Sequence, residues 1–324
     1  MHGIGKFHVD KDVLKIYRDY TYERAEVYYK KEVLGLSAPW TEDQYLRDYK
    51  FTNIRRELDK ESKFLIESVI KSDRLETWEK ALNCALFRLF NIKEGADYFI
   101  EWPIKFDRFN MDTFFNHEIS LNIDSKYQSN AYFLSHVRAA ANRASEEKYR
   151  GKQSTLAQFV YQNKRYIGDA FYADSPAEAI KELQKVSSFG DFIAYQIWVD
   201  FTYISKYGFT ENDYVVSGPG CDNGIDWMVG GNIIKDDGNP DYGIFQRKYP
   251  SDTYNEFIVW FRDHLPMLME HTGLEWDPKS FQHFLPEKQQ DWNLMQIENS
   301  FCELNKLMKL RNKCSMRVRY YHAG

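Results

Sequence analysis

Near the C-terminus Leu294, Ile297, Phe301, Leu304 and Met308 recur at steps of three and four residues. That spacing puts every apolar side chain on one stripe of an α-helix, and it predicts a helix over about 291–308. The same step returns along the chain. Phe51, Ile54, Leu58, Leu65 and Val69 share one face, with Asn53, Arg56, Glu57 and Lys60 on the adjoining stripe. Trp78, Leu82, Leu86 and Leu89 or Phe90 mark a second helix over about 75–90. Shorter helices are predicted around 111–116 and 132–144. The pattern predicts an all-α fold with short irregular or β pieces.

Ser175-Pro176-Ala177-Glu178 is a strong helix start. Ser175 can cap the first free N–H groups, Pro176 suits the first helical position and Glu178 completes a capping box. This helix should end near Val186. The run Ser187-Ser188-Phe189-Gly190-Asp191 then reads as a tight turn, and a further helix carries Phe192, Tyr195, Val199 and Thr202 on one face, Gln196 and Asp200 on another. The outcome is a helix-hairpin-helix core over about 175–225. Glu211 to Val216 reads as extended, Ser217 to Gly224 as a turn-rich segment and Lys235 to Tyr242 as a surface loop. Without a Pro/Gly/Ser linker, residues 1–324 read as one large helical domain with a basic tail over 306–324.

Composition narrows the class. Aromatic residues make up 17% and hydrophobic residues 43% of the 324, enough for a substantial core and contrary to the composition of disordered chains. No stretch reaches the ~20 apolar residues of a membrane span. The charged N-terminal segment does not read as a secretory signal. Cys84, Cys221, Cys302 and Cys314 form no metal-binding spacing. A soluble, cytoplasmic protein without a bound metal is expected. The net charge is −5, which argues against a generally basic nucleic-acid coat. Its distribution is uneven. Six cations and no acid lie between Lys306 and Arg319, while Gln196 to Phe245 carries a net −6.

No GxxxxGK[ST] phosphate loop, GxGxxG fingerprint or HExxH pair occurs. Gly218, Gly220 and Gly224, close behind Asp213, read either as a backbone that approaches a ligand or as an ordinary surface turn. Lys50, Arg55 and Arg56 around Asn53 read either as phosphate donors or as a solvated face paired with Glu57 and Asp59.

Specific strings go further: ERAEVYYKKEVLGLSAPWTED (23–43), YKFTNIRRELD (49–59), LETWE with LFRLFN (75–79, 86–91), FGDFIAYQIWVDFTY (189–203), NDYVVSGPGCDNGI (212–225) and IENSFCELNK (297–306). In this order they resemble the helical phage family of alpha-glutamyl/putrescinyl thymine pyrophosphorylases. The same module is found fused to kinases that phosphorylate 5-hydroxymethyluracil in phage DNA. The family looks distantly similar to helix-hairpin-helix DNA glycosylases. This chain departs from those in having one hairpin glycine, Gly190, and no hairpin lysine.

The resemblance implies a transferase of DNA base hypermodification. Its substrate would be DNA containing activated 5-hydroxymethyluracil, whose pyrophosphate is displaced by putrescine, another amine or an amino acid. Such a reaction needs cations for the departing pyrophosphate, a carboxylate to take a proton from the amine and a flipped nucleotide. Arg24, Arg55, Arg56 and Asn53 are the candidates for pyrophosphate. Asp213, then Asp200, are candidates for the base. Gly190, Gly218, Gly220, Arg317 and Arg319 are candidates for DNA contact. Glu57, Glu298 and Glu303 fall in the shared strings with their role open. No cofactor is demanded, although a Mg²⁺ ion could bridge the pyrophosphate. Two other functions compete: a DNA glycosylase or lyase acting on a modified base, and a non-catalytic DNA-binding module that partners a 5-hydroxymethyluracil DNA kinase.

Overall fold

The computed structural model describes residues 2–4, 7–121, 135–230 and 249–314. These residues are all-α apart from one antiparallel pair of three-residue strands, β1 (His2–Ile4) and β2 (Phe7–Val9). The helices run α1 (Lys11–Tyr28), α2 (Gln44–Asp48), α3 (Lys60–Leu65), α4 (Thr77–Phe90), α5 (Met111–Ser120), α6 (Ser135–Arg143) and α7 (Gln153–Gln162). They continue as α8 (Lys164–Phe171), α9 (Pro176–Gln184), α10 (Asp191–Phe201), α11 (Pro219–Met228), α12 (Ser251–His271), α13 (Pro278–Phe281) and α14 (Leu294–Arg311). None of the described helices is long and apolar enough to cross a membrane. The chain divides into two compact units, Met1–Asp59 with Val215–Gly324, and Lys60–Tyr214.

In the first unit α14 starts at Asn293, whose side chain accepts from the N–H groups of Met295 and Gln296, a cap that satisfies two otherwise orphaned donors. Leu294, Ile297, Phe301, Leu304 and Met308 are all buried, as the periodicity predicts. Phe301 packs against Tyr17 of α1 and against Phe257 and Phe261 of α12, with ring centroids 5.0–5.8 Å apart. Phe301 meets these three rings in tilted and edge-on geometry, the arrangement that ring quadrupoles favour. α11 lies closest to α14: a methyl group added at Gly224 would stand 2.0 Å from the Phe301 carbonyl oxygen. Only glycine permits that approach.

In the second unit α4 and α10 form the centre. Every residue from Ile193 to Phe201 is buried, and so is every residue from Ala81 to Phe90, the all-round apolar character of an interior helix. They enclose one ion pair. Arg88 donates through Nε and Nη2 to the two oxygens of Asp200, each at 2.5 Å, and through Nη1 to Asn91. α9 and α10 are consecutive helices joined by the short segment 185–190, and the Ser175 hydroxyl accepts from the Glu178 N–H at 3.2 Å at the start of α9. The left-handed residue in the joining segment is Ser188 (φ 73°), whereas Gly190 is the extended residue before α10.

Two local expectations are corrected. Phe51 to Val69 is not one helix: 51–55 is irregular, with bends at Ile54 and Arg55, Arg56–Leu58 is a single 3-10 turn and α3 begins only at Lys60. Asp59 holds the Asn53 backbone and amide N–H groups and so closes the segment locally, an alternative to helical hydrogen bonding. Ser217 to Gly224 is not a loop. Gly218 precedes Pro219 at the first position of α11, and Gly220 and Gly224 stay helical because they pack on α14.

Candidate functional site

The segment 51–59 carries four of the polar residues singled out in the sequence, Asn53, Arg55, Arg56 and Glu57, and it is held between α1 and α14. Arg24 of α1 donates through Nε to the Thr52 carbonyl (2.9 Å) and through Nη2 to the Asn53 side-chain oxygen. From α14, Asn299 donates to the Asn53 carbonyl at 2.9 Å. Asn53 donates in turn to the Leu58 carbonyl and to Asp59. The segment is therefore clamped from both sides.

The two adjacent arginines separate. Arg55, 4% exposed, donates to Glu57 Oε1 (2.5 Å), Gln282 Oε1 (3.2 Å) and the Asp291 carbonyl (3.1 Å). Arg56, 5% exposed, turns toward α14 and meets the Met295 sulfur at 4.0 Å. Its charge acts on both Asp59 and Glu298.

Along α14, Glu298 (2% exposed) accepts from the Gly218 N–H at 3.3 Å and faces the Cys302 thiol at 3.8 Å. A methyl at Gly220 would come within 3.0 Å of the Cys302 sulfur, so the first turn of α11 lies directly over this stretch. Burial pushes Glu298 up to about 7, against the pull of the Gly218 N–H and the Arg56 charge. Burial also pushes Asp59 up to about 6, against Asn53, Arg24 and Arg56. Glu303 pairs with Lys306 at 3.7 Å, and Lys306 reaches the Lys50 carbonyl while standing 4.3 Å over the Phe51 ring. Desolvation pushes the Lys306 ammonium down.

Arg24, Asn53, Arg56, Glu298 and Glu303 thus converge from positions up to 279 residues apart (24 to 303) on one patch of the first unit. Three cations and several carboxyl groups share it, with two of the carboxyl groups poised to exchange protons near neutral pH. Gly218 and Gly220 border it. Arg55 and Glu57 lie alongside but hold each other. Asp59, Asn299, Cys302 and Lys306 belong to the patch and were missed in the sequence. The signal for two of them was present: Asn299, Glu303 and Lys306 continue one stripe of α14 at steps of four and three.

A match to a known family covers this geometry almost from end to end. The sequence matches the family described as "5-hmdU DNA kinase, helical domain" over residues 11–316. The chain belongs to this helical-domain family. It is also 26% identical over 219 residues to the 5-hmdU DNA kinase of Bacillus phage SP10, covering 64% of this chain and 34% of that protein. The chain therefore spans about a third of that relative's length. No solved structure matches it.

The remaining predicted residues lie elsewhere. Asp200 is fully buried against Arg88 in the second unit. Asp213, also there, is exposed and accepts from the Thr210 N–H and hydroxyl at 2.6 and 2.9 Å. Gly190 opens α10, with nothing within 4 Å of where a side chain would start. Arg317, Arg319 and the loop 235–242 lie outside the described residues. Among the described residues no group of three or more His, Cys, Asp or Glu side chains is arranged to hold a metal ion.

Proposed function

We propose that this chain modifies thymine-derived bases in phage DNA, replacing the pyrophosphate of activated 5-hydroxymethyluracil with an amine. One observation carries the reading. Arg24, Arg56 and Asn53 are held, with titratable carboxyl groups, on one partly buried patch of a helical domain whose family is named for a kinase of this base. Guanidinium groups in a poorly hydrated site neutralise a leaving pyrophosphate far better than they would in water. Carboxyl groups titrating near neutrality are suited to take a proton from an amine. The sequence holds no phosphate-binding GxxxxGK[ST] loop, so its own chemistry is read as following phosphorylation. The amine is read as putrescine, a related amine or an amino acid, Mg²⁺ as an optional bridge to the pyrophosphate, and the basic run with Arg317 and Arg319 as a contact to the DNA backbone.

DNA carrying 5-(pyrophosphoryloxymethyl)uracil, incubated with the protein and a panel of amines, tests this by mass spectrometry of the nucleosides. A heavier nucleoside with equimolar pyrophosphate is expected. An abasic site would replace the reading with a glycosylase.

A second reading has its own support. The relative in Bacillus phage SP10 is a kinase of which the matched part is about a third, so the domain could instead present DNA to a 5-hydroxymethyluracil DNA kinase. DNA binding without turnover of any amine would favour it.

A further inference from the structure

We propose that Asp59 accepts the proton of the incoming amine; this assignment rests on the amine-transfer reading. Asp59 ends the 3-10 turn Arg56–Leu58 and is half-buried. Its Oδ1 is fixed by two donors from one residue, the Asn53 backbone N–H at 2.9 Å and the Asn53 amide at 3.0 Å. None of the described residues donates to Oδ2. One oxygen is thus anchored and the other presented, the arrangement a general base needs if its reactive lone pair is to keep one direction.

The surroundings complete the case. Arg24 and Tyr20 face Asp59 from α1, Arg56 from its own segment and Glu303 from α14. The two guanidinium groups are those assigned to pyrophosphate, so the carboxylate stands where the leaving group would be neutralised. With Asp59 pushed up to about 6 by burial, the group is mostly ionised at pH 7 yet more basic than an ordinary aspartate. The other carboxylates fit less well. Asp200 is saturated by Arg88, Asp213 closes the Thr210 turn in the second unit, and Glu298 is nearly sealed from solvent.

The step balances. An N–H proton of the ammonium passes to Asp59 Oδ2, and the freed nitrogen lone pair attacks the 5-methylene carbon. The carbon–oxygen bond breaks, and its electron pair leaves with pyrophosphate beside Arg24 and Arg56. The product is the secondary ammonium on the base.

Asp59→Asn separates proton transfer from architecture, because the amide oxygen can still accept from Asn53. Transfer to pyrophosphorylated DNA is compared for putrescine, which arrives protonated at pH 7, and for methoxyamine, which arrives as the free base. The variant should lose at least tens-fold with putrescine and stay within a few-fold of wild type with methoxyamine. The wild-type rate limb near pH 6 should vanish in the variant. Equal loss with both amines would make Asp59 a structural clasp and overturn the assignment, as would an unchanged rate with putrescine. A wild-type protein inert toward both amines sinks the transfer reading itself.

Discussion

Gly224→Ala tests the packing on which the candidate site depends. The added methyl would lie 2.0 Å from the Phe301 carbonyl oxygen, 2.7 Å from its carbonyl carbon and 3.1 Å from its Cα. A carbon and a carbonyl oxygen ordinarily approach no closer than about 3.3 Å. α11 and α14 must therefore part by more than about 1 Å, and no side-chain rotation can relieve a clash with backbone. Overpacking in a well-filled interior costs roughly 1–3 kcal/mol, and a backbone clash sits at the upper end. Alanine returns about 1 kcal/mol of helix propensity. The net loss should be about 2 kcal/mol, or a fall in Tm of roughly 3 °C for a chain of this size. The Gly218 N–H to Glu298 bond, already 3.3 Å long, would be broken by the same displacement. Gly220→Ala is the control: its one tight contact is with the movable Cys302 sulfur at 3.0 Å, the Cys302 Cβ and Cα lying at ordinary distances of 3.6 and 3.7 Å, so its melting temperature should stay within about 1 °C of wild type. If Gly224→Ala melts at or above the wild type, the close crossing of α11 and α14 is wrong.

Three further outcomes are expected. Glu298 has a folded-state pKa raised from 4.5 to about 7, so the folded protein binds more protons than the unfolded chain between those values. Stability should then be highest below about pH 4.5 as far as this group is concerned and fall as pH rises toward 7, by about 3 kcal/mol. Glu298→Gln should flatten that slope in urea melts from pH 5 to 8; an unchanged slope would mean the carboxyl group is not desolvated. Arg88→Met should destabilise by about 3–5 kcal/mol, because it strands the Asp200 charge in the interior, while adding Asp200→Leu should recover most of the loss. A denaturation series showing no recovery in the double variant would refute the unpaired-charge explanation. Arg56→Ala should slow pyrophosphate release by tens-fold or more, the effect of losing one electrostatic contact worth about 2–4 kcal/mol, and a wild-type rate would remove Arg56 from the pyrophosphate site.

The sequence alone was enough for whatever is local. Helix α14, the buried faces of α4 and the cap at Ser175 follow from three- and four-residue spacing and from short-range hydrogen-bond chemistry, which act within one or two turns. Periodicity also misled locally. Phe51 and Ile54 are buried where a helical stripe would bury them, but the Asn53–Asp59 clasp closes the segment into a bend and a 3-10 turn instead of an α-helix. At Gly218 to Gly224 the glycine content reads as a loop, because propensity counts the cost of glycine in a helix and has no knowledge of the backbone of α14 packed against it. The division into two units, and the different fates of neighbouring Arg55 and Arg56, depend on partners more than 200 residues away. The raised values of Asp59 and Glu298 have the same origin. Desolvation is a property of what surrounds a carboxyl group in three dimensions, so only the tertiary structure could single out Asp59 in a run of charged residues that reads equally well as a solvated helix face.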